Sequence, residues 1–510
     1  MKFLHHSSLL SVVLPAILLS SVGVVLGCRG WLSDSHAQQK GPIIQLDKSG
    51  DLQAAINRAK PGDTIILQAG AIYTGPFTLP VKSGSEYITI QSSRVNELPE
   101  GARVSPSQSE LFAKLQSAEK SAAVVKTQPG AHHYKFVGIE FSTADENVVV
   151  HDLLRFGEAT TQTTLDAAPH HLVVDRSYIH GFPSQEVQRG VSLNSAETTI
   201  SNSYISDVHG KGYDTQAICG WNGPGPFKII NNYLEGSGEN IMFGGSDPSI
   251  PNLVPSDIEI RQNYVFKPLS WKEGHPSYGG RHWSVKNLFE LKSARRVTID
   301  GNVFENNWVD AQAGSAILFT VRNQDGKAPW STIEDITFTN NVLKNSPSAI
   351  NLLGKDNLQP SQRAARIKIS NNFFTGISGT FLTINGYVDA TLSNNTHIQG
   401  GNIMILYGDP SPGFVYENNV TIRDPKGYGV KGDSTGEGTI ALGQFTPSAV
   451  FRNNVIVGAN ASQYPKDNFY PASVAEVGFV APENGDFRLS PHSRYKQAGA
   501  NFELLPKLSK

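Results

Sequence analysis

The sequence predicts an all-β solenoid, one long domain of stacked coils made from strands and turns. The first observation is a recurring motif: an apolar residue, a spacer, a polar pair that usually ends in Asn, and another apolar residue. The second is its spacing, since the closing Asn residues from Asn232 to Asn419 follow one another at intervals of 23 to 39 residues. Variable repeats around a fixed motif describe coils in which some turns carry insertions.

Composition agrees with this fold class. The 510-residue chain contains 48 Gly and three Met, and only 17% of its residues are charged. These features favour strands and turns over helices. Since stacked repeats extend one core from neighbour to neighbour, the length does not require several domains.

The Asn residues of the motif are expected to be structural. Asn tolerates the left-handed backbone of a turn, and its amide can bond to the Asn of the next coil, so that the residues form a ladder. We therefore do not expect them to be ligands. The copies are Ile229–Leu234, Ile260–Val265, Ile299–Phe304, Phe338–Leu343, Ile369–Phe374, Leu392–Asn395, Tyr416–Asn419 and Phe451–Asn454.

The amino terminus predicts export. Lys2 precedes an apolar run from Leu9 to Leu26, the arrangement of a secretory signal. We expect a signal peptide within residues 1–37, cleaved before Cys28, at a sequence that resembles a lipoprotein box, or after Ala37. The protein would then be periplasmic, extracellular or an outer-membrane lipoprotein anchored through Cys28.

Charge and cysteine content limit the partners. A net charge of −2 argues against nucleic acid or an anionic membrane surface as the main partner, so the only membrane contact expected is the lipid anchor. With Cys28 lipidated or removed, Cys219 stands alone and no internal disulfide forms. We expect a monomer.

The start of the domain predicts a cap. Leu52, Ile56 and Ala59 fall on one helical face, and Pro61 follows, so a short amphipathic helix would cover the open end of the solenoid. This opening resembles that of secreted bacterial pectate-lyase-like proteins. The resemblance implies a single-stranded right-handed parallel β-helix.

We place the boundaries of the β-helix domain at residues 41–495. Residues 96–130 lack the strand motif and contain a helical patch, Glu110–Leu115, so we expect an insertion there. Residues 496–510 form a C-terminal tail. The segment Asp486–Gly499 resembles the end of many β-helix proteins and is expected to pack over the last coil.

Strand alternation predicts a polar site in the central coils. In Asn287–Lys292, Phe289 and Leu291 share one face, so Glu290 and Lys292 share the other. One coil later, alternation points Arg322 outward as well. If Leu291 lies beside Val321, Lys292 lies next to Arg322 at the spacing of adjacent strands, roughly 4.8 Å.

This trio suits the cleavage of uronic-acid polysaccharides by β-elimination. Arg322 would hold the sugar carboxylate, Lys292 would be the base, and Glu290 would hold Lys292 or bind a cation, for which calcium is the candidate. The sequence loosely resembles the Lys and Arg pairing of chondroitinase-B-type and alginate lyases. Those lyases carry acidic metal ligands before the Lys, whereas residues 284–287 include no carboxylate, so no metal ligand is assigned. The alternative is a solvated surface ion pair.

The insertions around this strand supply candidate substrate contacts. Exposed Trp faces suit sugar rings, although about half of such large aromatics would be expected to cover the core instead. The residues chosen as substrate-binding candidates are Trp271, Arg281, His282, Trp283 and Asn323.

Two other functions remain open from the sequence. A glycoside hydrolase would need two carboxylates across the scissile bond, and Asp214, Glu239, Glu290 and Asp310 are the candidate acids. A carbohydrate-binding or surface-structural solenoid would need no catalytic group. We rank elimination first, with an acidic polysaccharide as the expected partner.

Overall fold

The computed structural model describes residues 41–427 and 429–507. The predicted signal peptide, its cleavage sites and the Cys28 anchor lie outside the described residues. In the described part of the chain, no helix combines the length and the apolarity needed to cross a bilayer.

The described residues form 42 strands and two α-helices. The first strands and the first helix are β1 (Ile43–Leu46), α1 (Leu52–Arg58), β2 (Thr64–Leu67), β3 (Ile72–Gly75), β4 (Phe77–Leu79), β5 (Ile88–Ser92), β6 (Ala113–Ser117), β7 (Val125–Thr127), β8 (His132–Val137), β9 (Ile139–Thr143), β10 (Val150–Phe156), β11 (His170–Asp175), β12 (Tyr178–His180), β13 (Val187–Leu193), β14 (Thr198–Ser201) and β15 (Tyr204–Ser206). The central strands are β16 (Gln216–Gly220), β17 (Phe227–Ile230), β18 (Tyr233–Glu235), β19 (Glu239–Phe243), β20 (Ser256–Arg261), β21 (Tyr264–Phe266), β22 (Phe289–Leu291), β23 (Ala294–Asp300), β24 (Val303–Glu305), β25 (Ser315–Thr320), β26 (Ile333–Thr339), β27 (Val342–Ser346) and β28 (Ser348–Leu353). The last are β29 (Ala365–Ser370), β30 (Phe373–Ile377), β31 (Leu382–Asn385), β32 (Val388–Ser393), β33 (Thr396–Gln399), β34 (Met404–Leu406), β35 (Val415–Glu417), β36 (Val420–Ile422), β37 (Val430–Gly432), β38 (Gly436–Glu437), α2 (Thr439–Phe445), β39 (Val450–Arg452), β40 (Val455–Val457), β41 (Phe479–Ala481) and β42 (Asp486–Leu489).

Three long sheets run the length of the domain, and each full coil gives one strand to each. Sheet A has 14 strands, from β1 to β39, and sheet B has 13, from β3 to β40. Sheet C also has 13, from β4 to β38, and all its pairings except that of β37 with β38 are parallel. The fold is therefore the predicted right-handed parallel β-helix.

The core is a stack of apolar rows, one for each inward position of a strand. Ile258 of β20 lies beside Val297 of β23, which lies beside Ile336 of β26, and all three are at most 1% exposed. Like residues stack because successive coils repeat the same register.

The Asn ladder is confirmed. Asn263 donates its backbone N–H and its Nδ2–H to Oδ1 of Asn302, at 2.9 and 3.0 Å, and Asn302 does the same to Asn341. The chain of amides runs from Asn232 to Asn468. The first residue of each motif pair takes the left-handed turn, as at Asn340 (φ 56°). The sequence pattern assigned the left-handed turn and the ladder hydrogen bonds to the same Asn, whereas the structure divides them between the two residues of each pair.

The predicted N-terminal cap is present as α1. The Asp51 side chain accepts a hydrogen bond from the Ala54 N–H and caps the helix, while Leu52 and Ile56 are buried against the first coil. This closes the exposed apolar end.

The predicted insertion at 96–130 is smaller than expected. Strands β6 and β7 lie inside this range and belong to sheets B and C, so only the stretch between β5 and β6 leaves the coil. The helical patch at Glu110–Leu115 is wrong: a 3₁₀ helix occupies Pro106–Leu111, and Lys114 points outward on β6.

The prediction for the C-terminal end is confirmed in part. Helix α2 caps the last coil, with Ala441, Leu442 and Phe445 in the core. The segment Asp486–Gly499 packs beside the last coils as predicted, with Tyr495 and Ala498 in a cluster with Val455 and Val457 of β40. The residues after it run back beside earlier coils, where Leu505 packs on Val342 and Phe373.

Candidate functional site

The outer face of sheet C carries the predicted trio. On β22, Phe289 and Leu291 point into the core, and Glu290 projects outward. The alternation is as predicted, but the register is not, because Leu291 pairs with Phe319 rather than with Val321. Arg322 still follows Lys292 closely, since its backbone N–H donates to the Lys292 carbonyl at 2.9 Å.

Glu290 is a buried carboxylate on this face, only 2% exposed. Its Oε2 accepts a hydrogen bond from Asn287 Nδ2 at 2.8 Å, and its Oε1 lies 3.9 Å from Lys292 Nζ. Burial raises the pKa of Glu290 to about 7, with Lys292 opposing the rise and Glu239 adding to it. Such a carboxyl group exchanges protons near neutral pH.

Four further ionisable residues surround Glu290. Lys286 Nζ lies 2.7 Å from Asp214 Oδ1 and 3.4 Å from Glu239 Oε1, and the Glu239 side chain is fully buried. We call Asp214, Glu239, Lys286, Glu290 and Lys292 the acid–lysine cluster. Lys286 was missed from the sequence, because Leu288 and Phe289 are both buried and the alternation fails before β22.

Several polar atoms of this region have no hydrogen-bond partner among the described residues. They are buried and belong to Gln216 (Oε1), Glu239 (Oε1) and Asn287 (Oδ1). The Lys286 ammonium is within ion-pair distance of Glu239 Oε1 without hydrogen-bond geometry. Buried polar atoms usually have a hydrogen-bond partner, so these three atoms are open to further hydrogen bonds from water or a ligand.

A buried lysine, Lys267, holds the loop before β19 through hydrogen bonds to its backbone. Lys267 Nζ donates hydrogen bonds to the carbonyls of Gly236, Ser237 and Gly238 at 2.5 to 2.9 Å. Burial lowers the pKa of Lys267, and Glu239 opposes that shift. The lysine therefore holds the backbone that carries Glu239 and is not itself exposed to a substrate.

Arg322 lies at the edge of the face and is anchored on one side. Its Nη1 donates to Asn357 Oδ1 at 3.0 Å and lies 3.8 Å from Asp356 Oδ1. The side chain is 31% exposed, so it remains accessible to an anionic ligand.

Asn323 has a different role from the one expected. It is fully buried; its Nδ2 donates to the Pro360 carbonyl and its Oδ1 accepts from the Ala328 N–H, both at 2.8 Å. These bonds shape the turn after Arg322. The expectation that Asn323 contacts substrate is therefore corrected to a structural role.

Trp271 and Trp283 are also buried, at 6% and 2% exposure. They form a cluster with Val285 and Trp308, and the imidazole of His209 stacks on Trp283 at 3.9 Å between ring centroids. We correct the expectation of exposed sugar-binding faces, because these indoles fill the interior of the insertion. The alternative that such aromatics cover the core holds for both.

Arg281 and His282 lie at the rim of the insertion. Arg281 Nη1 donates to the Ser184 carbonyl at 3.1 Å, and His282 Nε2 lies 2.7 Å from Asp310 Oδ1. The His282 side chain is 59% exposed and borders a cavity of about 370 Å³ shared with Trp308 and Asp310. Substrate binding by Arg281 and His282 stays a prediction.

A group of charged residues around a small cavity on earlier coils was missed by sequence reasoning. Arg189 lies beside Asp152 in the sheet C register, and its guanidinium carbon is 5.0 Å from the ring centroid of Trp221. Asp152 also binds Arg155 Nε at 2.8 Å. These residues line a cavity of about 300 Å³. Charged residues at outward positions of β10 and β13 were the available signal.

The site does not suit calcium. Two ammonium groups lie against the carboxylates of the acid–lysine cluster, at 2.7 to 3.9 Å. Ca²⁺ takes about six to eight oxygen ligands, and cations in its place would repel it.

Comparisons with known structures show the fold. The chain is similar in structure to the PL6 family alginate lyase AlyGC, with a TM-score of 0.55 and 14% sequence identity. The match covers 91% of this chain and 57% of that one. It matches "a new PL6 alginate lyase complex with trisaccharide" with a TM-score of 0.54 and 13% identity, over 92% and 93% of the two chains. This chain therefore spans little more than half of AlyGC. No protein-family model matches the sequence, and no curated protein matches it significantly.

Proposed function

We propose that the protein is an exported enzyme that cleaves an acidic, uronate-containing polysaccharide by β-elimination on the outer face of sheet C. The observation that carries the proposal is the acid–lysine cluster itself. A buried carboxyl group of raised pKa lies 3.9 Å from a lysine, and unpaired buried polar atoms stand beside it. The similarity in fold to two proteins titled alginate lyases supports the same reaction class.

The side chains divide the chemistry according to their exposure. Lys292 is 12% exposed and Glu290 is nearly enclosed. Lys292 therefore contacts the substrate, and Glu290 exchanges protons with Lys292 from its buried position. Arg322, at the edge, binds the sugar carboxylate and stabilises the charge that develops when the adjacent carbon loses its proton.

Elimination then balances within this group of residues. Lys292 first passes its ammonium proton to Glu290, 3.9 Å away. The neutral amine then takes the proton from the carbon bearing the carboxylate, and the electron pair left behind forms a double bond to the next ring carbon. The bond from that carbon to the glycosidic oxygen breaks. The Glu290–Lys292 pair returns a proton to the leaving oxygen, so no external acid is needed.

The test is a panel of uronic-acid and neutral glycans, each assayed for an ultraviolet-absorbing product and for new reducing ends. A lyase gives both signals on an acidic glycan, and Arg322→Ala removes both. An unchanged rate in Arg322→Ala would contradict the role of the guanidinium. Absence of both signals on every glycan would instead favour a binding protein.

A second candidate is glycoside hydrolysis, favoured by one observation. Glu239 and Glu290 project from adjacent strands of sheet C, and each is buried. Glu239 also contributes to the raised pKa of Glu290, and glycosidases use a pair of carboxyl groups across the scissile bond. Reducing ends without ultraviolet absorbance would identify this activity.

The proposed location is outside the cytoplasm, with a monomeric chain and, where Cys28 is acylated, a lipid anchor. Fractionation of the native host and mass determination of the mature amino terminus test these proposals. A mature chain that begins at an acylated Cys28 supports the anchor, and one that begins at Gln38 contradicts it.

A further inference from the structure

Four histidines gather at the turn that leads from sheet C to sheet A. His132 and His133 begin β8, and His170 and His171 begin β11 one coil later. We call these residues the histidine cluster. Imidazole is a common ligand of divalent transition metals, so four rings in one place make this turn a candidate metal site.

The backbone places all four rings on the same side. Successive residues of a strand normally point to opposite faces. Here His133 (φ 59°) and His171 (φ 52°) are left-handed, which turns each ring toward that of the preceding histidine. The register sets His170 beside His132, so the pairs superimpose.

The rings form a two-by-two array. His132 stacks on His170 with centroids 4.8 Å apart, and His133 stacks on His171 at 4.2 Å. Within each coil the two Nδ1 atoms approach to 2.7 Å. Such a contact needs one nitrogen of each pair to be an unprotonated acceptor, whose lone pair becomes available to a metal ion when that hydrogen bond is broken.

An acidic residue completes the group. Glu197 occupies the same left-handed turn on the following coil, and its Oε2 lies 2.5 Å from His171 Nδ1. One nitrogen each from His133, His170 and His171 can be chosen so that all lie within 4.8 Å of one another.

We propose that His133, His170 and His171 bind a divalent transition-metal ion of the Zn²⁺ class, with Glu197 as the fourth ligand or as the carboxylate that orients His171. Three imidazoles and one carboxylate match the donors that Zn²⁺ takes in proteins, at about 2.0–2.2 Å. Tetrahedral ligands at that distance are roughly 3.4 Å apart, so modest ring rotations close the site.

The metal site is separate from the acid–lysine cluster. His170 follows β10, and Glu290 lies on β22, four strands further along sheet C. At the usual strand spacing this is roughly 19 Å along the axis. Metal binding and catalysis can therefore be tested independently.

The experiment uses the full chain, purified without a polyhistidine tag and treated with a chelator. Zn²⁺ is titrated in the calorimeter, with a chromophoric chelator in competition. We expect one tight site per chain, weakened at least 100-fold in His171→Ala and about 10- to 100-fold in Glu197→Gln. The matched control is His492→Ala, an exposed histidine of the tail, which should bind like the wild type.

Two further measurements keep the result clear. Far-ultraviolet circular dichroism of each metal-free variant confirms folding, and His133→Gln replaces His171→Ala if the latter misfolds. Zinc X-ray absorption should report imidazole nitrogen ligands in the wild type. Equal Zn²⁺ affinity in the wild type and in His133→Gln, or sulfur or oxygen ligands alone, would overturn the proposal.

Discussion

Two buried polar arrays of this molecule differ in how completely their hydrogen-bonding groups are paired. The Asn ladder inside the turns is neutral, and each central amide both donates and accepts, as Asn302 does toward Asn263 and Asn341. The acid–lysine cluster on sheet C is charged, and Glu239 and Asn287 each keep an atom without a hydrogen-bond partner among the described residues. A paired array stabilises, whereas a partly paired one costs free energy that binding can recover.

This comparison predicts that the cluster is expendable for folding and essential for turnover. Lys292→Ala should lower the rate of product formation by roughly 10²- to 10⁴-fold, the contribution typical of a positioned base. The melting temperature should change little. The matched control is Lys368→Ala, a lysine that also projects from a strand but on sheet A and in solvent.

The rate is measured on the glycan identified by the panel, with circular dichroism to verify the fold. If Lys292→Ala and Lys368→Ala were equally active, the cluster would lose its catalytic role, and the surface ion-pair interpretation would stand.

The ladder should show the reverse behaviour. Asn302→Ala removes the acceptor of two hydrogen bonds from Asn263 and the donor to the Ile260 carbonyl, leaving buried groups unpaired. We expect a loss of roughly 2–5 kcal/mol in the free energy of unfolding, measured by urea denaturation.

The control for that variant is Asn340→Gly, which changes the outward member of a pair. Its left-handed φ of 56° suits Gly, and Gly301 occupies the same position one coil earlier. The variant loses two partly exposed hydrogen bonds, one from Asn340 to Asp300 and one from Asn371 to Asn340, both at 2.7 Å. The expected cost is therefore about 1–2 kcal/mol, below that of Asn302→Ala. Equal costs for the two variants would mean that the ladder contributes nothing special.

The pH dependence of stability sharpens the comparison further. Because the pKa of Glu290 is raised in the folded state to about 7, the folded protein holds a proton that the unfolded chain releases near pH 4.5. This contribution is complete below the unfolded pKa and disappears as pH rises through about 7.

Glu290→Gln should therefore lose less stability than the wild type between pH 4.5 and pH 7.5, by about 1–3 kcal/mol. Urea midpoints at both pH values measure the difference. Glu235, whose pKa burial also raises to about 7, titrates in the same window, so Glu235→Gln is the parallel variant. Parallel curves for the wild type and Glu290→Gln would refute the assignment.

The sequence carried the fold much further than the site. The Asn motif and the inward residues of β22 repeat with the coil, so periodicity alone predicts the ladder and the outward direction of Glu290. The register between β22 and β25 was predicted two residues away from the observed one, since irregular insertions separate those strands. The burial of Trp271 and Trp283 depends on how an insertion folds onto itself, which no periodicity encodes.

A third polar array, made of exposed ion pairs, should contribute least to the free energy of unfolding. On later coils the turn that holds the histidine cluster carries charges, and Arg296 lies 2.7 Å from Asp257 with both side chains about half exposed. The carboxylate hydrogen bond raises the pKa of Arg296, but water and salt screen such pairs. Arg296→Gln keeps the length and the backbone and should cost at most about 1 kcal/mol in urea. The cost should shrink further at high salt, since screening weakens exposed pairs. A salt-independent loss near that of Asn302→Ala would mean that the outer charges, and not only the inner amides, fix one coil on the next.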